Sequence, residues 1–164
     1  MAGPDIIWRL TEALAHTLVE DGVRLAVAES CTGGGLAYRL TSLPGASQWF
    51  ERGFVTYSNA AKSDMLGVPE ALLASHGAVS AEVASAMAEG VLLRTPALVS
   101  AAITGIAGPG GARPDKPVGT VFIAVARGAD RKVRRHWFSG DRDAIRRQAI
   151  EHTLRALIAL QESA

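Results

Sequence analysis

Residues 23–40 read VRLAVAESCTGGGLAYRL, and this stretch decides the fold. Val23 to Ala28 form a short apolar run, the signature of a strand covered on both faces. Glycines follow at 33, 34 and 35, and Leu36 to Leu40 read as a helix. Ser30 therefore sits where a strand hands over to a helix. The first N–H groups of a helix lack partners and carry partial positive charge, so they can hold a phosphate or an oxyanion. Ser30 would place a hydroxyl at the mouth of such a site, with Cys31, Thr32, Gly33 and Gly34 beside it. The plain structural alternative is that Ser30 or Thr32 only caps the helix. Three consecutive glycines are not a dinucleotide fingerprint, and no phosphate-loop lysine follows them.

Outward from this stretch, strands alternate with helices. Ile7, Leu10, Leu14 and Leu18 recur at helical spacing behind Asp5, a candidate cap, and Gly22 ends that helix. Phe54 to Tyr57 is the next strand candidate. Asn59 to Leu66 and Pro69 to His76 read as short helices, stopped by Gly67 and Gly77. Ser80 can cap a helix running to about Leu93. Leu98 to Ile103 is a second buried strand. Val118 to Ala126 and Lys132 to Phe138 read as strands joined by a turn at 128–130. Asp141 can cap a last helix bearing Ile145, Leu154, Leu157 and Ile158. The order predicts a single three-layer α/β domain over residues 1–164, with a mixed β-sheet and helices on both faces.

Composition narrows the function. The chain has 164 residues, 48% of them apolar, so it can build a full core without staples. Lys plus Arg number 17 against 16 Asp plus Glu, a balance that predicts no nucleic-acid partner. One cysteine, Cys31, excludes an internal disulfide and any multi-cysteine metal site. No signal-peptide pattern opens the chain, and no apolar run approaches the ~20 residues that span a bilayer. The expectation is a cytoplasmic protein with no membrane contact, no metal and no cofactor. Base rates of assembly favour a homo-oligomer, with a dimer as the guess.

Two further segments carry chemistry. Tyr57-Ser58-Asn59-Ala60-Ala61-Lys62 also leaves a strand and enters a helix. A serine hydroxyl is a poor nucleophile until a neighbour takes its proton. Lysine can do so when burial lowers its pKa, and tyrosine can relay the proton. The alternative is a strand aromatic and a solvated lysine. The segment Thr104-Gly105-Ile106-Ala107-Gly108-Pro109-Gly110-Gly111 leaves a buried strand and holds four glycines. A loop at that end of a strand is where open α/β sheets bind ligands, and its N–H groups can form an anion nest. Arg142 and Arg146 are candidate phosphate contacts, or else a solvated helix face. Cys31 is an alternative nucleophile, or simply a small apolar residue.

These segments together resemble the C-terminal domain family of CinA, the competence/damage-inducible protein. The matching stretches are Glu29 to Gly34, Tyr57-Ser58-Asn59 with Ala61-Lys62, Gly77 with Val79-Ser80, Ala102 to Pro109, Lys116 to Gly119, and Gly140-Asp141-Arg142 with Arg146. Ala112-Arg113 departs from the family pattern. Active members are nicotinamide-nucleotide amidases. The resemblance implies hydrolysis of nicotinamide mononucleotide to nicotinic acid mononucleotide and ammonia, in pyridine nucleotide salvage. It implies Ser30 as nucleophile, Tyr57 and Lys62 as activating partners, and no metal. Substrate contacts would come from Cys31, Thr32, Gly33, Gly34, Asn59, Thr104, Gly105, Ile106, Gly108, Gly110, Gly111, Arg142 and Arg146. A pyridine-nucleotide-binding module without catalysis is the competing reading.

Overall fold

The computed structural model describes residues 5–164, so residues 1–4 of the expected domain lie outside the described residues. The elements run α1 (Ile6–Asp21), β1 (Leu25–Glu29), α2 (Gly35–Thr41), β2 (Phe50–Val55), α3 (Asn59–Leu66), α4 (Glu70–His76) and α5 (Ala81–Arg94). They continue through β3 (Val99–Gly105), β4 (Thr120–Arg127), β5 (Asp130–Trp137) and α6 (Arg142–Glu162). The five strands form one sheet in the order β2-β1-β3-β4-β5. β1 is parallel to both β2 and β3, while β4 and β5 add an antiparallel hairpin. The expected mixed α/β sheet, covered on both faces, is the architecture found.

Alternation along the central strands builds two cores. Leu25, Val27, Val99, Ala101, Ile103, Val121, Ile123 and Val125 face α1, α2 and α6, meeting Leu14, Leu18, Leu36, Leu154 and Leu157. Ala26, Ala28, Ala102, Phe122 and Ala124 face the other way, onto Leu66, Val83, Met87 and Val91. The small side chains on this second face let α5 lie close to the sheet. Ser100, buried on the same face, donates to the Ala88 carbonyl of α5 at 2.9 Å, as a buried hydroxyl must find a partner. Each fully buried leucine in these cores contributes about 2 kcal/mol.

Several boundaries differ from the sequence expectation. β2 starts at Phe50, not Phe54, and stops at Val55, leaving Tyr57 beyond it. Its Glu51, Arg52 and Gly53 give no apolar alternation, because this is an edge strand placed by pairing of Leu25 with Phe50. Thr104 and Gly105 belong to β3, paired with Phe122 and Val121, so the loop starts only at Ile106. A turn of 3-10 helix at Ala46–Gln48 was not expected.

α3 is fastened to α5 at one close approach. A Cβ on Gly90 would lie 2.2 Å from the Leu66 carbonyl oxygen. In an exposed helix, Gly→Ala gains about 1 kcal/mol from propensity. Here the clash with rigid backbone outweighs it, since overpacking costs about 1–3 kcal/mol. Gly90→Ala should therefore lower stability, and urea denaturation with an unchanged m-value is the check.

Candidate active site

The three parallel strands end together. Ser30 N–H donates to Ile103 O at 2.9 Å, and Thr56 N–H donates to Glu29 O at 2.9 Å. The residues that follow β1, β2 and β3 are thereby gathered at one edge of the sheet. β1 feeds β2 on one side and neighbours β3 on the other, which is where α/β sheets open a ligand crevice. A cleft of about 210 Å³ lies here, lined by Ser30, Cys31, Tyr57, Lys62, Ala78, Val79, Thr104, Gly105, Ala107 and Arg142.

Lys62 lies in the first turn of α3, which Ser58 caps by accepting from Ala61 N–H at 3.0 Å. Its side chain is 1% exposed. Nζ lies 3.1 Å from Ser30 Oγ, 2.9 Å from Thr56 O and 3.2 Å from Tyr57 O. Burial lowers the Lys62 pKa from the usual lysine value. The opposing influence would be a Cys31 thiolate. Burial pushes the Cys31 thiol up to about 11, so at neutral pH it carries no charge. A neutral amine has two N–H bonds and one lone pair. Nζ donates to both carbonyls and to Ser30 Oγ; in the neutral form the two carbonyls would take the N–H bonds and leave the lone pair facing the Ser30 hydroxyl.

The phenol of Tyr57 points elsewhere. Its Oη accepts from Arg142 Nη2 at 3.3 Å, and the residue is 61% exposed. What Tyr57 gives the buried amine is its carbonyl. Arg142 Nη1 also donates to Gly108 O at 2.7 Å, so the guanidinium straps the loop after β3 to Tyr57 across the cleft rim. Thr104, 1% exposed, donates from Oγ1 to Ala78 O at 2.8 Å and holds the Ala78-Val79 wall in place.

The helix start after Ser30 is less open than the sequence suggests. The buried Glu29 carboxylate accepts from Leu36 N–H at 2.7 Å and Ala37 N–H at 3.1 Å. Gly33 N–H donates to Ser30 O at 3.1 Å. The N–H groups of Cys31 and Thr32 are not among these occupied donors. Glu29 had no expected role. Its signal was a carboxylate six to eight residues before the first turn of a helix, which no local capping pattern covers.

The remaining expected residues are spread more widely. Asn59, Gly110 and Gly111 are exposed and do not line the cleft. Ile106 exchanges backbone hydrogen bonds with Thr120 and Gly119, and Gly108 joins the site through its carbonyl. Thr32 and Arg146 line a different cleft, with Arg146 Nη2 donating to Thr32 O at 3.1 Å. Gly33 and Gly34 have positive φ, 58° and 97°, which the turn between β1 and α2 requires. Ala78, Val79 and Ala107 line the cleft and were not expected there.

Residues 8–161 match the CinA C-terminal domain. The chain belongs to the CinA C-terminal domain family. This CinA-type domain is 49% identical to the nicotinamide-nucleotide amidohydrolase PncC of Escherichia coli, over 92% of each chain. It is 51% identical to a competence-damage inducible protein of Symbiobacterium thermophilum, covering 88% of this chain but 36% of that one. The domain thus spans about a third of the longer relatives. Among solved structures, the competence/damage inducible protein CihA of Agrobacterium tumefaciens superposes with a TM-score of 0.92, at 41% identity over 98% of both chains.

Two predictions test this geometry. Glu29→Ala should destabilise the protein by about 2 kcal/mol or more, because two charge-assisted bonds are lost and two amides left unmet; chemical denaturation reads it. Cys31 should react slowly with iodoacetamide at pH 7.5 and faster as the pH approaches 11, followed by mass spectrometry.

Proposed function

We propose that this chain hydrolyses the carboxamide of nicotinamide mononucleotide, with Ser30 as nucleophile and Lys62 as general base. One observation carries the reading: a buried amine with a lowered pKa, held by two carbonyls, 3.1 Å from a serine hydroxyl at a strand end. The Escherichia coli relative is a nicotinamide-nucleotide amidohydrolase by name, which supports the substrate class.

Ser30 Oγ attacks the amide carbon while its proton passes directly to Lys62 Nζ. The oxyanion meets backbone N–H groups of Cys31 and Thr32, a contribution of about 3 kcal/mol for such donors. Lys62 then protonates the amide nitrogen, and ammonia leaves an acyl ester on Ser30. Water, giving its proton to Lys62, hydrolyses the ester to the carboxylate and restores the hydroxyl. The cleft's 210 Å³ is below the ~300–1,000 Å³ usual for whole ligands, so it suits the pyridine end. The ribose and phosphate then lie over the rim, near Arg142 and Tyr57.

The same reading puts the chain in pyridine nucleotide salvage; a cytoplasmic homodimer is proposed with it on composition and base rates of assembly. Among the described residues, no helix is long and apolar enough to cross a membrane.

Incubation with nicotinamide mononucleotide, measuring ammonia and the acid product together, is the decisive assay. Ser30→Ala should lower kcat by on the order of 10⁴-fold or more. Binding without any ammonia release by the native protein would instead mark a nucleotide-binding module. Tyr57→Phe should cost under about tenfold in kcat, because its hydroxyl touches Arg142 and not the proton path. Activity should fall as pH drops through the lowered Lys62 pKa, because protonation occupies the lone pair. A flat acid limb in the kcat/KM profile would remove Lys62 as base.

A further inference from the structure

The hairpin of β4 and β5 meets α6 through three aromatic rings. His136 of β5 stacks on Phe138, with ring centroids 5.1 Å apart and planes inclined by 14°. His152 of α6 meets His136 at 5.1 Å, edge to face, and Phe138 at 4.9 Å. Phe138 is buried in the core that α6 shares with the sheet, and both histidines are half-buried. One imidazole on a strand is thus held against another on a helix.

Charge around His136 is one-sided. On β5, Lys132 and Arg134 alternate onto its face, and Lys132 Nζ donates to Ser163 Oγ at 3.2 Å. The Arg131–Glu89 pair and Arg135 belong to the opposite face of the strand. On β4, His136 pairs with Val121, and Ile123 and Val125 continue that face without charge. On α6, Glu151 is taken by Arg155 at 2.8 Å, and Glu162 lies at the far end of the helix. Two protonated imidazoles at this separation repel, and partial burial adds a desolvation cost. The His136 pKa is accordingly lowered to about 4, by burial first and then by His152 and Arg134.

We propose that the His136–His152 contact is an acid-sensitive clasp, in which protonation of His136 beside a second imidazole loosens α6 from the β4–β5 hairpin. α6 also carries Arg142, whose guanidinium straps the rim of the Ser30 cleft, so what holds this helix bears on the site. Neither histidine lines that cleft. The clasp stands independently of the amidase reading, because its test reads folding and titration alone.

Unfolded chain takes a proton at His136 near the ordinary value of 6.5, whereas the folded chain resists to about 4. The stabilisation is therefore intact above pH 6.5 and is lost as the pH falls from there toward 4. Solvent at the half-exposed ring screens the effect, leaving about tenfold in the unfolding constant between pH 7 and pH 5.

The experiment is urea denaturation of the full chain at pH 7, 6 and 5, with an imidazole NMR titration of the native protein. The unfolding constant of native protein should rise about tenfold more over this range than that of His136→Phe. Carboxylates that titrate in the same range are common to both proteins and cancel. In native protein the His136 ring should titrate below pH 5. His152→Phe, which keeps a ring but removes the second imidazole, should move that midpoint upward. A native His136 midpoint near 6.5, an unmoved midpoint in His152→Phe, or equal acid sensitivity of native and His136→Phe would overturn the proposal.

Discussion

An amine taken out of water without a carboxylate beside it is the constraint on which the site depends. Among the described residues Lys62 makes no ion pair; its neighbours are two carbonyls and a hydroxyl. An uncompensated buried ammonium is expensive, and that cost lowers the pKa of the group. Burial thus makes this amine readier to give up its proton than an exposed lysine. The two carbonyls then decide which way its lone pair faces. Both come from the three-residue link between β2 and α3, so the edge strand, with its poor apolar pattern, positions the amine.

A second buried charge keeps the turn around Ser30 in shape. Glu29 is also almost wholly covered, but unlike Lys62 it has charge-assisted partners in two amides of α2. Its carboxylate complements the positive end of that helix. Two neighbouring elements thus solve the same problem in opposite ways. The carboxylate is satisfied and structural, and the amine is left unpaired and chemically available.

Much of this was legible in the sequence. Apolar runs of six residues marked β1 and β3, and the caps at Asp5, Ser80 and Asp141 marked helix starts. The cleft residues Ser30, Tyr57, Lys62, Thr104 and Arg142 were singled out because glycine-rich or capped segments followed strands. The limits of β2 were not legible, since an edge strand is placed by its neighbour's hydrogen bonds and not by its own pattern. Nor was the division of labour at Tyr57. A sequence shows a phenol, whereas the fold uses the carbonyl of the same residue for Lys62 and turns the ring toward Arg142. The Ala78-Val79 wall was hidden for a related reason: its place depends on one long-range bond from Thr104.

The missing side chain at position 90 has a reach beyond packing. Because Lys62 rides on α3, and α3 rests against α5 at that point, the gap between the two helices gauges how far the amine stands from the serine. A displacement of about 1 Å in such a pair can cost on the order of a hundredfold in rate. Laboratory evolution of the turnover rate should therefore find entry points at this remote helix crossing, with every group in the cleft left as it is.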